Sequence, residues 1–229
     1  MSEQASVARA SAPGAHEKPR AHEKPGGYYA NARPDLVREL PRPLGRVLDV
    51  GCGEGEVGRL LLAEGALSVT GIELNERAAG RAQLVLDEVH VGAVEEVLPR
   101  LSGSWNTICC YDVLEHLVDP AGVLAALRRL AVPEGRLHVS VPNARHVSLL
   151  ADLVLRGTFG YTDWGHRDRT HLRWFTRRDL VALVQATGWR VLSTSHPRLH
   201  RSRLLDAITR GRSTEFLVGQ WYLLALRPP

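Results

Sequence analysis

VLDVGCGEGEVG at 47–58, followed by GIEL at 71–74, is the stretch that decides the fold. A short apolar run, RVLDV, enters a glycine-rich turn at 51–55, and a helical segment, EVGRLLLAEG, leaves it. Strand, tight turn and helix in this order put the exposed N–H groups of a helix start beside a turn that a ligand can approach closely. Asp49 sits at the end of the strand and can accept from an ammonium group. Glu73 ends the next strand and can accept from ribose hydroxyls. The spacing differs from the dinucleotide fingerprint, which needs glycine at the first, third and sixth turn positions. Counting from Gly51, Glu56 stands sixth, and Gly55 makes the turn GxGxG. Asp49, Glu54 and Glu56 would repel a pyrophosphate, whereas a cationic sulfonium compound carries no such group.

Outward from this turn the pattern repeats. Strands are expected over 46–50, 68–74, 88–94, 105–111 and 135–142, with helices over 56–65 and 75–86 and a helical stretch from DVLEH at 112–116 onward. Short apolar strands separated by helices predict an open, mostly parallel sheet covered on both faces. Upstream, Pro34 suits the first turn of a helix whose apolar face is Leu36, Val37 and Leu40. Downstream, a helix is expected within 143–156, a helix capped by Thr176 over 176–188, a strand over 189–195, a short surface helix within 197–212, and a closing edge strand within 214–228. The expected fold class is α/β and Rossmann-like. Its sheet is open and mostly parallel, with seven strands flanked by helices and an antiparallel C-terminal edge strand. Residues 1–26, with AHEKP at 15–19 and again at 21–25, have little apolar surface to offset ordering entropy and are expected to be a disordered tail. Residues 27–229 then form a single domain, and 157–175 form a substrate lid or insert within it.

The 229 residues suffice for one substantial core. Hydrophobic residues make up 44% and charged residues 24%, which excludes a disordered polymer. No apolar run approaches the roughly 20 residues needed to cross a bilayer, and no signal segment opens the chain, so a cytoplasmic location is expected. The three cysteines form neither a disulfide framework nor a metal-ligand spacing. The net charge of +4 permits nucleic-acid binding. Without a zinc-finger, RRM or KH signature, nucleic acid is not the expected partner. The late basic residues Arg198, Arg201, Arg203, Arg210 and Arg212 read first as a solvated face.

At this point the sequence resembles the class I S-adenosylmethionine-dependent methyltransferases. VLDVGCGEG matches their first motif, and Glu73 in GIELNE matches the acidic end of their second strand. NTICCYDVLEHLVDP at 106–120, PN at 142–143 and DRTHLRWFT at 168–176 resemble the small-molecule and ubiquinone-type branch. The resemblance implies S-adenosyl-L-methionine as cofactor and S-adenosyl-L-homocysteine as product. Asp49, Gly51, Cys52 and Gly53 would surround the methionine portion, Glu73 would bind ribose, Leu74 would pack on adenine, and Ala93 and Val94 would lie near the base. Many relatives carry an acid where Ala93 stands, and an aspartate where Asn106 stands.

Methyl transfer from a sulfonium needs an acceptor lone pair aligned behind the S–CH3 bond, and exclusion of water more than a metal. No metal site is expected. Tyr28, Tyr29 and Tyr111 can meet the sulfonium through cation–π contact or simply close over it. His116 is the candidate general base, with substrate orientation or a scaffold hydrogen bond as its other roles. If DVLEH begins a helix, Asp112 shares its face, and Glu115 is read as an external carboxylate or a helix-contact residue. Asp112, His146, His166, Arg169, His171 and Arg173 are candidate acceptor-binding residues. Alternatively an Asp–Arg–Thr–His network around Asp168 fixes the lid. The expected reaction is methyl transfer to an oxygen of a small metabolite, in secondary metabolism. N-methylation follows, then C-methylation or nucleic-acid methylation, and a non-enzymatic donor-binding protein comes last. A monomer and a homodimer are both compatible with the chain.

Overall fold

The computed structural model describes residues 28–197 and 213–229. The tail expected over 1–26, the basic late segment and nearly all of the helix expected over 197–212 lie outside the described residues. Strand β1 (Arg46–Val50) leads through the glycine turn to helix α2 (Glu56–Ala63), preceded by helix α1 (Pro34–Glu39). Then come β2 (Ser68–Glu73), α3 (Glu76–Ala82), β3 (Glu88–Val91), α4 (Val94–Val97), β4 (Trp105–Tyr111), α5 (Pro120–Leu130) and β5 (Ala131–Pro142). The chain closes with α6 (Val147–Leu155), α7 (Arg177–Ala186), β6 (Arg190–Ser195), a helical turn at Thr214–Leu217 and β7 (Gln220–Leu226).

The seven strands form one sheet in the order β3-β2-β1-β4-β5-β7-β6. Strands β1 to β5 pair in parallel. β7 runs antiparallel to both β5 and β6. The C-terminal strand is antiparallel as expected, but it is an inner strand: β6 takes the edge. Its inner place suits its composition, since Trp221, Tyr222, Leu223 and Ala225 are all buried. The residues of β1 are paired on both sides, with Val50 opposite Ile72 of β2 and Cys110 of β4. This register brings the carboxyl ends of β1, β2 and β4 into line.

Local chemistry sets the helix starts. The Asn75 side chain accepts from the Ala78 N–H, Asp119 accepts from Gly122 ahead of Pro120, and Thr176 accepts from Asp179 as expected. One helix face of the sheet holds Leu124, Leu127, Val139, Leu180, Val184 and Trp189; the other holds Leu36, Leu44, Val47, Leu61 and Tyr222. β5 begins earlier than expected, at Ala131. Ala131 pairs with Trp105 before an irregularity in register, and Glu134 (φ +58°) and Gly135 carry the kink.

The largest departure lies after β4. DVLEH does not begin an α-helix. Asp112 adopts a left-handed conformation (φ +56°), and only Leu114–His116 make a 3-10 turn before α5 starts at Pro120. The turn sends Asp112 and His116 to different neighbours. Among the described residues, no helix is long and apolar enough to cross a membrane.

Candidate active site

The sheet reverses direction of strand progression between β1 and β4, and in open α/β sheets the ligand crevice lies outside the strand ends at such a point. The glycine turn forms its wall. Gly51 and Cys52 donate their N–H groups to the Ile72 carbonyl at 2.8 and 3.1 Å, tying the turn to β2. Gly53 (φ +55°) must be glycine on two counts: the left-handed backbone, and a Cβ there would sit 2.5 Å from the Tyr29 carbonyl oxygen. Glu73 braces the turn from β2, accepting from Gly53 N–H at 2.9 Å with one oxygen and from Asn75 N–H at 2.8 Å with the other.

Asp49 is 2% exposed, and its Oδ2 has no hydrogen-bond partner. Burial, and then the nearby Glu73 charge, push its carboxyl up to about 7. Burial also raises Glu73, opposed by the backbone N–H groups it accepts from. Two acidic groups with an unspent acceptor suit a cationic, hydroxyl-bearing ligand. Leu74, directly after Glu73, is 59% exposed although apolar, and offers a shelf for a flat ring. Ala93 caps α4 and Val94 is buried at its start, with Gly92 N–H bonded to the Glu73 carbonyl at 2.9 Å. The chemistry of Asp49, Glu73 and the glycine turn therefore fits S-adenosylmethionine, a cation that also carries hydroxyl groups. Cys52 is buried, and burial raises its thiol far above the ordinary range, so it serves as packing rather than as a nucleophile.

The three tyrosines separate. Tyr29 reaches the turn by its carbonyl, which accepts from Glu54 N–H at 2.9 Å. Tyr28 enters only through its backbone in a 3-10 turn, and its ring lies outside the described side chains. Tyr111 is buried, its hydroxyl 2.9 Å from His138 Nδ1, so that end of the ring is committed to the core rather than to the crevice. Burial lowers His138 to about 4, which keeps that imidazole neutral.

Residues 168–173 lie directly against the segment after β4. Leu172 and Arg173 donate their N–H groups to the Glu115 carbonyl at 2.8 and 3.0 Å. His116 Nδ1 lies 3.2 Å from the Thr170 carbonyl and 3.1 Å from its hydroxyl. The Thr170 hydroxyl itself donates to Asp168 Oδ1 at 2.7 Å. Both atoms facing Nδ1 are thus acceptors, so Nδ1 carries a proton, and in the neutral ring the lone pair is on Nε2. His171 is buried and meets the His116 ring edge-on, centroids 4.8 Å apart. Of the network expected around Asp168, the links Asp168–Thr170–His116 are present.

The readings of Glu115 and of the face shared by Asp112 and His116 are corrected here, and the other acceptor-side candidates take the positions described. Glu115 is not external: it is 1% exposed, neither carboxylate oxygen has a hydrogen-bond partner, and burial raises it well above the usual range. Asp112 faces away from His116; it accepts from Arg33, Ser140 and Gln220 at 2.7, 3.0 and 2.8 Å. Arg169 pairs with Asp163 at 2.8 Å, and Arg173 donates to the Val118 carbonyl at 2.8 Å, so each guanidinium has a protein partner. His146 caps α6 and stacks on His166, centroids 4.7 Å apart, while His166 Nε2 meets the Gly219 carbonyl at 2.5 Å. Although no metal site was expected, Glu115, His116 and His171 offer ligand atoms all within 4.8 Å of one another. That cluster was missed because the Cys/His spacing rules look along the chain, whereas His171 arrives from the lid. Arg33 was also missed; no motif marks it.

The recess and the sheet order define a nucleotide-type donor site on a class I methyltransferase fold. The chain belongs to the methyltransferase-domain family, whose model matches residues 21–194. It is 37% identical over 131 residues to a ubiquinone biosynthesis O-methyltransferase of Aromatoleum aromaticum, covering 51% of this chain and 56% of that protein. It is 32% identical over 186 residues to the protein of the same description from Xylella fastidiosa, covering 75% and 73%. The chain thus spans only about half the length of the Aromatoleum relative. A solved SAM-dependent methyltransferase of Archaeoglobus fulgidus shares the fold, with TM-score 0.61, 18% identity and coverage of 87% of this chain and 96% of that one.

Proposed function

We propose that the protein transfers a methyl group from S-adenosylmethionine to a hydroxyl oxygen of a small molecule. The observation that carries this reading is the pairing of the acidic glycine-turn recess with His116, whose Nδ1 proton is held by Thr170. When bound, the cofactor supplies a methyl group activated by its sulfonium. Asp49 and Glu73 hold its polar ends, Leu74 supports the base, and the glycine turn allows backbone contact. His116 accepts the hydroxyl proton at Nε2 as the oxygen attacks, and Asp168 through Thr170 stabilises the charged imidazole. The lid residues 168–173 keep water from the crevice. O-methylation is the activity named for the two relatives above. The test is a labelled-methyl transfer screen across phenols, carboxylates, amines and sugar-like acceptors. His116→Ala should preserve donor binding and lower transfer by about 100-fold or more, the usual size of a general-base contribution. Transfer to amines alone would contradict the oxygen assignment.

A second reading is favoured by the buried, unpartnered Glu115 oxygens beside His116 and His171. There the three side chains would hold a divalent cation, and His116 would serve as a ligand rather than a base. A cation at that position supplies Lewis-acid activation of an acceptor hydroxyl. Chelator treatment separates the two: it abolishes transfer under the second reading and leaves it intact under the first.

A further inference from the structure

A strap of chain that enters no motif touches both the glycine turn and the residue after β4. At one end Tyr29 places its carbonyl against the glycine turn, where it accepts from Glu54 N–H at 2.9 Å. Four residues later Arg33, its side chain only 12% exposed, reaches the residue that follows β4, donating from Nη1 to Asp112 at 2.7 Å. β1 and β4 are the two strands that flank the crevice. The strap therefore runs from one lip of the site to the other.

Arg33 holds more than one anchor. Nη2 donates to Gln220 Oε1 at 2.8 Å and to the Tyr222 hydroxyl at 3.0 Å, both on β7. Tyr222 in turn donates to Asp35, two residues along the strap. Gln220 also donates to Asp112, which closes a ring of hydrogen bonds from strap to β4 to β7 and back. Asp112, held in a left-handed backbone that a non-glycine residue adopts at a cost, accepts three hydrogen bonds within this assembly. The arrangement uses the planar, two-pronged shape of a guanidinium, which an ammonium cannot reproduce.

We infer that Arg33 is a positioning residue that latches the strap over the donor crevice and so sets how fast S-adenosylhomocysteine leaves. A ligand lying between the glycine turn and Asp112 exchanges only when the strap lifts, and lifting the strap breaks the charge-assisted pair to Asp112. The inference concerns the donor side alone and stands apart from the identity of the acceptor.

The test is the release rate of S-adenosylhomocysteine from the full-length protein, followed by rapid displacement with no acceptor present. Arg33→Gln should speed release by about tenfold or more, the equivalent of one charge-assisted hydrogen bond. Arg33→Lys, which keeps the charge but only one prong, should fall between wild type and Arg33→Gln. Asp112→Asn should add little in the Arg33→Gln background. A merely structural role would lower the melting temperature without this ordering. A folded Arg33→Gln variant with wild-type release overturns the inference. Should that variant not fold, the unmodified protein still decides. Hydrogen exchange at Glu54, whose N–H is bonded to the Tyr29 carbonyl, gives the strap-opening rate, and release faster than that opening overturns the latch. Opening at least as fast as release supports it.

Discussion

Asp49 carries a buried carboxyl with one unpaired oxygen, and the consequence is a pH signature. With its carboxyl pushed up to about 7 by burial and Glu73, the unliganded fold keeps a proton that the unfolded chain releases in the ordinary carboxylate range. Unfolding stability then falls as pH rises from about 4 toward about 7, because the native state binds more protons than the unfolded one. A cationic donor favours the ionised carboxylate, so donor affinity rises over the same window. Asp49→Asn should flatten both slopes, read by melting curves and donor titrations at several pH values; an unchanged affinity slope in that variant contradicts the assignment. Glu115 behaves differently. Its oxygens have no partners and burial works against its charged form, so without a divalent cation Glu115→Gln should melt within about 1 kcal/mol of wild type. If the cluster holds a cation, the wild type gains stability on its addition and the variant does not. At this scale the sequence exposed Asp49, Gly51, Gly53 and Glu73, because strand, turn and helix place them within one short segment. Arg33 was invisible because its partner Asp112 lies 79 residues away, and Thr170, although expected in a network around Asp168, gave no sign of its tie to His116, 54 residues away.

At the scale of elements, the glycine turn and the strap are one unit. Gly53→Ala puts a methyl against the Tyr29 carbonyl in a left-handed backbone, and should cost on the order of 1–3 kcal/mol of stability while weakening donor binding. Gly80 in α3 is the control: a Cβ there meets nothing within 4 Å, so Gly80→Ala should stabilise by about 0.5–1 kcal/mol and leave donor binding alone. Equal donor-binding losses in both variants would sink the distinction. Element positions were largely legible. β1 and β4 fall on their expected residues, and Asn75, Asp119 and Thr176 cap where polar residues precede apolar periodicity. The segment after β4 was misread because DVLEHLV has helical spacing, yet Asp112 is drawn backward to Arg33, Ser140 and Gln220, and Pro120 starts the helix afresh. The inner position of β7 was hidden because antiparallel insertion is a choice of pairing partner, which periodicity along one strand does not encode.

At the scale of the molecule, the proposed reading gives the donor to the parallel half, β1 to β4, and the acceptor to α6, residues 157–175 and the segment around Glu115. Arg33 and the Glu115–Leu172 backbone contacts join the two halves. Ligand binding to the native state alone should therefore stabilise the whole fold, by about 2.7 kcal/mol at a hundredfold excess of S-adenosylhomocysteine over its Kd. The measurement that tests the central claim most directly is calorimetric titration of S-adenosylhomocysteine into the folded protein and into Glu73→Leu. Saturable binding at one ligand per chain, lost in a variant that remains folded, is the predicted result. A folded wild type that takes up no ligand, or a Glu73→Leu variant that binds as tightly as wild type, would contradict the placement of the methyl donor at the glycine turn.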